Sequence, residues 1–230
     1  MERTGIQYST YVQILKEELV PAMGCTEPIA LAYCAAKARE VLGCLPERCV
    51  VEASGNIVKN VKSVIVPNTG GLKGIEAAAA AGIAAGDASR ILEVIAGVTK
   101  EQKSQIREYL DHAEICVKPL DTDEILDMVV TVYGGGSCVK VRIAGYHTNI
   151  VLIEKDGEVL YKVGAVAARE AQMADRSLLN VEDIYEFAKT VDLDDVREVI
   201  GRQIAYNRAI SEEGLKNDWG ANIGSVLLKA

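Results

Sequence analysis

Val139-Lys140-Val141-Arg142-Ile143-Ala144 decides the fold class. Apolar side chains at 139, 141 and 143 alternate with Lys140, Arg142 and Ala144, the period-two pattern of a strand with one buried face. The same chemistry recurs on both sides. Glu114 to Lys118 and Ile125 to Tyr133 are β-like, and Gly134-Gly135-Gly136-Ser137 links two of these strands. Lys155-Asp156-Gly157 is a hairpin signal ahead of Glu158 to Lys162. These pieces predict an antiparallel β-meander over 113–166.

Outward from the meander the apolar spacing becomes helical. Ser9 to Val20 reads as an amphipathic helix, and Pro28 to Leu42 is apolar nearly all round, the mark of a buried helix. Arg48 to Ala53 reads as a short strand, and Ser63 to Val66 as another. Between them, Asn56 to Asn60 reads as a loop. Pro67-Asn68-Thr69-Gly70-Gly71 is turn chemistry opening an alanine-rich helix. Asp87 and Thr99 read as helix caps, as does Asn180 later in the chain. The predicted class is α+β, with helix-rich layers packed on an antiparallel β-meander. Its segments are helix-rich 7–112, antiparallel sheet 113–166 and helical 178–216.

Composition sets the limits. The 230 residues are 49% hydrophobic but only 5% aromatic, so the core must be built from Ala, Val, Ile and Leu through close backbone approach. A net charge of −8 argues against nonspecific nucleic-acid binding. No apolar run of ~18 residues occurs and the first residues lack a signal-type apolar segment, which predicts no membrane association and a cytoplasmic protein. The six cysteines are dispersed and form no CxxC pair. Only His112 and His147 accompany them, so a self-contained zinc site is not expected.

The stretch with most chemistry is Pro21-Ala22-Met23-Gly24-Cys25-Thr26-Glu27-Pro28. Pro28 suits a first helical turn, and Thr26 or Glu27 can cap its free amides. The positive end of that helix then lies close to Cys25 and favours its thiolate. On residue chemistry alone, the favoured reading of Cys25 is a packed thiol in a Gly-Pro loop.

This stretch does not stand alone. With Asn56 to Asn60, Val66-Pro67-Asn68-Thr69-Gly70, His147-Thr148-Asn149-Ile150-Val151, and a tail of Glu213-Gly214-Leu215, Trp219-Gly220 and Ile223-Gly224, it resembles the L-cysteine desulfidase family. Those proteins are relatives of the iron–sulfur L-serine dehydratases and include a widespread uncharacterised group. The resemblance covers residues 1–230 but only the N-terminal half of the family pattern. The C-terminal half, with further cluster cysteines, has no counterpart here, and Asn68 stands where the family has Gly.

The resemblance implies a lyase that removes sulfide or water, and ammonia, from L-cysteine or L-serine to give pyruvate. It implies that Cys25 ligates a four-iron four-sulfur cluster whose remaining ligands lie in the absent half. Asn56, Lys59, Asn60, Asn68, Thr69, Gly70, His147 and Asn149 are the candidate substrate-binding residues, with Lys59 and His147 candidates for catalysis. Each has an ordinary reading as well: a surface lysine, a turn, a packed loop histidine. The partners implied are a small amino-acid substrate and either a polypeptide carrying the C-terminal half or further copies of this chain. The other function left open is a non-catalytic subunit that binds a small anion or regulates a partner.

Overall fold

In a computed structural model of the protein, residues 1–164 and 173–230 are described. In chain order the elements are α1 (Ile6–Glu18), α2 (Thr26–Leu42), β1 (Arg48–Ala53), α3 (Gly55–Val61), α4 (Gly74–Ala85), a 3₁₀ segment (Ala88–Glu93) and α5 (Lys100–His112). Then come β2 (Glu114–Pro119), β3 (Asp127–Gly134), β4 (Ser137–Ala144), β5 (Ile150–Lys155) and β6 (Glu158–Lys162). A short 3₁₀ turn (Arg176–Leu178) precedes α6 (Val181–Thr190), α7 (Leu193–Lys216) and α8 (Ile223–Lys229). The fold is α+β, as the alternating stretch predicts. These elements form two compact units, Ala22–Gln172 and Met1–Pro21 with Met173–Ala230.

The larger unit holds a six-stranded sheet in the order β2-β1-β3-β4-β5-β6. Neighbours pair antiparallel from β1 to β6, but β1 and β2 run parallel, with Arg48 opposite Glu114 and Val51 opposite Val117. A parallel pair needs a long crossover, here supplied by α3, α4 and α5. Thus β1 joins the later strands within one sheet and is not separate from the meander. The last two residues of the expected 113–166 segment, 165 and 166, lie outside the described residues.

One face of this sheet carries α2 against β3 and β4, and α4 lies against α2. Cys49, Val51, Val130, Val132, Val139, Val141 and Ile143 point into that core, with Ile29, Leu31, Ala32, Ala35 and the alanines 77–81 opposite them. The two helices nearly touch backbone to backbone. A Cβ added at Gly82 would stand 2.1 Å from the Ala32 carbonyl oxygen. The alanine-rich composition therefore reflects a spacing that larger side chains would forbid.

Three local readings are corrected. Gly55–Val61 is a helix and not a loop: Ser54 accepts from the Ile57 amide at 3.5 Å, and Ile57 and Val61, four residues apart, share a buried face. The strand expected at Ser63–Val66 reduces to one bridge, Ile65 to Lys73. The helix expected after Asp87 is a 3₁₀ segment, though Asp87 does cap it through Ser89 N–H at 3.0 Å. Thr99 caps α5 in a reciprocal capping box with Gln102, and Asn180 caps α6.

The smaller unit is helical, and its core is aromatic. Phe187 meets Tyr8 and Tyr11 edge-on, each at 5.4 Å between ring centres. The Tyr8 hydroxyl donates to Asp195 at 2.7 Å and accepts from the Asp192 amide at 3.0 Å. Arg3 pairs with Asp192 and Asp195, joining the α1 end to the start of α7.

The helix contact makes a stability prediction. Gly82→Ala forces α4 away from α2 and should cost roughly 1–3 kcal/mol. Gly201→Ala, on exposed α7 with nothing within 4 Å of the new methyl, should instead add about 0.5–1 kcal/mol. Urea unfolding of the two variants should therefore shift in opposite directions.

Candidate functional site

The site is built on the first turn of α2. Cys25 occupies the N-cap position, and no side chain caps the helix there. Thr26 and Glu27 are helical residues and not the expected cap; Glu27 sits in the first turn, where its charge suits the helix dipole. The Cys25 thiol is exposed and donates to Glu27 Oε2 at 3.2 Å. Glu27 Oε1 accepts from Asn60 Nδ2, also at 3.2 Å, so one carboxylate bridges α2 and α3.

His147 completes the cluster. It lies in the β4–β5 loop, which is held shut from several sides. Gly145 N–H donates to Leu126 O at 2.8 Å, Asn149 N–H to Tyr146 O at 3.1 Å, and Asn149 Nδ2 to Ala144 O at 2.9 Å. Nε2 of His147 is buried and, among the described residues, has no hydrogen-bond partner, an arrangement that native interiors rarely leave without a use. Burial holds this imidazole below the usual histidine range, and the Glu27 charge opposes that in part. His147 is therefore neutral near pH 7.

The charges reverse one expectation. Burial, followed by the hydrogen bond and negative charge of Glu27, pushes the Cys25 thiol above its ordinary value. The helix end does not make a thiolate here: the Glu27 amide favours one, but burial first, and then the Glu27 carboxylate, outweigh it. Burial also raises Glu27, but its own amide, the Cys25 thiol, His147 and Asn60 together hold it below the usual carboxylate value. The ground state is thus a thiol, a carboxylate and a neutral imidazole.

The other expected residues divide between solvent and scaffold. Asn56 and Lys59 are exposed on α3, with Lys59 one residue before Asn60 and on the solvent side. Asn68 adopts a left-handed backbone (φ 57°), and its Nδ2 donates to the carbonyls of Ile95, Ala96 and Val98 at 2.9–3.3 Å. Thr69 is buried, accepts from Leu72 N–H at 3.2 Å and donates to Val66 O at 2.8 Å. Both build their loop. Gly70 is exposed, and a Cβ there would stand 3.8 Å from Arg107 Nη2. The loop still adjoins the site, since a Cβ at Gly24 would lie 3.3 Å from Pro67 Cγ. Asn149 fastens the His147 loop. His112 is exposed, as expected, with Nδ1 beside Glu108 O at 2.8 Å. Glu27, read from sequence only as a possible cap, is the residue the others share. Its signal was an acid two positions after the cysteine at a helix start.

A four-iron cluster is not accommodated by these residues alone. Cys25 offers a single sulfur, Cys34 and Cys49 are buried in the core, and their thiols are pushed up by burial. Among the described residues no three His, Cys, Asp or Glu side chains are grouped to hold a metal ion. Two open cavities, of about 870 and 500 Å³, lie elsewhere: beside Arg3 and Arg202 in the smaller unit, and beside Arg48 and Tyr133 at a sheet end. No described helix is long and apolar enough to cross a membrane.

No family model matches the chain, and no solved structure matches it. Among curated proteins it is 56% identical to a UPF0597 protein of Desulfitobacterium hafniense over 229 residues, 100% of this chain and 53% of that one. UPF0597 proteins of Treponema denticola and Lachnoclostridium phytofermentans are each 46% identical, over 97% and 96% of this chain and 52% and 53% of theirs. The chain spans about half the length of the curated relatives it matches. The resemblance to the L-cysteine desulfidase and L-serine dehydratase families is thereby corrected: the relatives are consistently named UPF0597 proteins, and neither enzyme name appears among them. Shared short motifs carried that resemblance, whereas identity along the whole chain leads elsewhere.

The geometry predicts how Cys25 reacts. Glu27→Gln removes the charge that suppresses the thiolate, so alkylation of Cys25 by iodoacetamide at pH 7.5 should become several-fold faster. The same change should move the His147 titration, followed by NMR, further below the ordinary histidine range. An unchanged alkylation rate would show that Glu27 does not control the thiol.

Proposed function

We propose that this chain forms part of a lyase that takes a small L-amino acid, cysteine or serine, to pyruvate. The reaction removes the α-proton and expels sulfide or water from the β-carbon. The resulting enamine takes up water and releases ammonia and pyruvate. The observation that supports this reading is the convergence of Cys25, Glu27, Asn60 and His147 at the open N-terminus of α2. In the proposal, the amides at the start of α2 that Glu27 does not engage, and the second N–H of the Asn60 amide, hold the substrate carboxylate. His147, neutral and with Nε2 unpaired, receives the α-proton, and the Glu27 carboxylate stabilises the imidazolium that forms. Lys59 has no part in this scheme because its exposed position on α3 faces solvent.

No step is routed through an iron–sulfur cluster, since one thiol cannot hold one. A second polypeptide could combine its donors with Cys25, and the activity of the longer relatives is part of the same proposal. A cytoplasmic setting belongs to it too, in keeping with the free state of all six cysteines.

A second reading, a non-catalytic module that binds a small carboxylate, is favoured by one observation: the Cys25 thiol is held protonated. An assay separates the two. The chain is co-produced with the remaining half of the Desulfitobacterium hafniense relative, without oxygen and with iron and sulfide. Pyruvate formation from L-cysteine and L-serine is then measured. Turnover is expected, with His147→Gln lowering kcat by about 10²–10⁴-fold. Absence of pyruvate from both substrates, together with carboxylate binding that survives Cys25→Ser, would establish the binding module instead.

A further inference from the structure

Among the described residues the sheet ends in two edge strands, β6 and β2, and they differ. At β6 the register shifts between Ile153 and Glu154, so the edge strand is bulged and its outward groups are irregular, a common guard against edge pairing. At the other edge β2 pairs with β1 without a break from Glu114 to Pro119. Its outward groups can be identified. Leu120 N–H donates to Ala53 O at 2.9 Å, continuing the ladder. In a parallel pair alternate residues turn both backbone groups to the same neighbour, so Cys116 and Lys118 face β1. Ile115 and Val117 direct N–H and C=O away from the sheet, and among the described residues no bond to those outward groups is found.

The β2 sequence reads Glu114-Ile115-Cys116-Val117-Lys118. Laid antiparallel against itself about Cys116, it sets Glu114 opposite Lys118 at both ends and Ile115 opposite Val117. The bonding phase agrees with that register. The two Ile115–Val117 pairs have the free backbone groups, and each can exchange both hydrogen bonds. Cys116 would face its own copy in the unbonded, closely spaced position between them. Charges at an edge normally repel a copy; here a twofold axis turns them into opposite-sign pairs. Ile115 and Val117 are already packed against the helix-side core, and the pairing would continue that apolar layer across the axis.

We propose that β2 is a self-association edge, on which a second copy of this chain pairs its own β2 antiparallel, centred on Cys116, to make one sheet of twice the width. The occupant is a second copy because only the reversed β2 sequence meets both the charge pattern and the hydrogen-bond phase.

The test is sedimentation of the full chain with variants on this edge. Glu114 also pairs with Arg48 of β1 at 3.2 Å, so each charge variant is compared by its association at an unchanged far-UV spectrum. The wild-type chain is expected to be a dimer. Val117→Pro deletes an N–H that makes no bond within the sheet, and should give a monomer with an unchanged far-UV spectrum. Lys118→Glu opposes like charges and should weaken the dimer, and adding Glu114→Lys should restore it. This charge exchange decides the matter even where the proline variant unfolds. In a background with Cys25→Ser, Cys44→Ser and Cys138→Ser, diamide should take two electrons and two protons from the facing Cys116 thiols and join the copies by a disulfide. The spacing of such a pair is within disulfide range, and Cys116→Ser should abolish the product. A monomeric wild-type chain, a folded Val117→Pro dimer, a charge exchange that restores nothing, or cross-linking without Cys116 would each overturn the proposal.

Discussion

The contact of α2 with α4 at Gly82 is the constraint on which the larger unit depends. With 2.1 Å between a hypothetical Cβ and the Ala32 carbonyl oxygen, neither helix can rotate or shift without creating a clash or opening a void. Alanines bury little area each, so cohesion has to come from many short contacts between backbones and small side chains. The arrangement fixes α2 on β3 and β4, where Cys34 donates to Val141 O at 3.4 Å. It also fixes where α2 begins. The loop carrying His147 leaves the far end of β4, and so Glu27 and His147 are brought together by two rigid elements resting on the same strands.

A second anchor works from the other side. Asp127, at the start of β3, is fully buried and is bonded by Arg142 Nε at 2.9 Å and by Thr122 Oγ1 at 2.8 Å. Its backbone carbonyl accepts from Ser54 N–H at 2.9 Å, and Ser54 caps α3. A buried carboxylate is tolerated only when paired in this way. The pairing holds the start of α3, and α3 presents Asn60 to Glu27. The polar residues outside the site thus keep its hydrogen bonds at their lengths.

The balance at Cys25 follows from comparing magnitudes. A helix end contributes about 0.3–1 kcal/mol toward a nearby negative charge at an exposed position. A hydrogen bond to a charged group is worth about 1.5–3 kcal/mol, and the thiol can make its bond to Glu27 only while protonated. The carboxylate prevails over the dipole, and it adds to burial, which is the larger effect against the thiolate. A ligand that displaces Glu27 from the sulfur, or a proton that neutralises it, removes the carboxylate's share of the opposition and leaves the dipole set against burial alone. Cys25 is therefore a conditional nucleophile or ligand, governed by the residue two positions along.

What could be read from the sequence follows from the range of each signal. The alternation at 139–144 and the Asp156-Gly157 turn are local, and β4, β5 and β6 appear where they indicate. Thr99, Asp87 and Asn180 cap as expected because a cap is decided within a few residues. The identity of β1's neighbours was not legible, since period-two patterning does not say which strands meet. Helix α3 was concealed by Gly55-Asn56, whose turn-like composition outweighed the Ile57–Val61 spacing. That Asn68 and Thr69 bond the Ile95, Ala96, Val98 and Val66 carbonyls was not legible, because Asn68's partners lie about thirty residues along the chain. Composition misled in a subtler way. The low aromatic content describes the larger core well, yet Tyr8, Tyr11 and Phe187 form the centre of the smaller one. A chain-wide average cannot distinguish two cores of different chemistry: one needs small residues for close helix contact, and the other needs a few large rings to fill the space between longer, more polar helices.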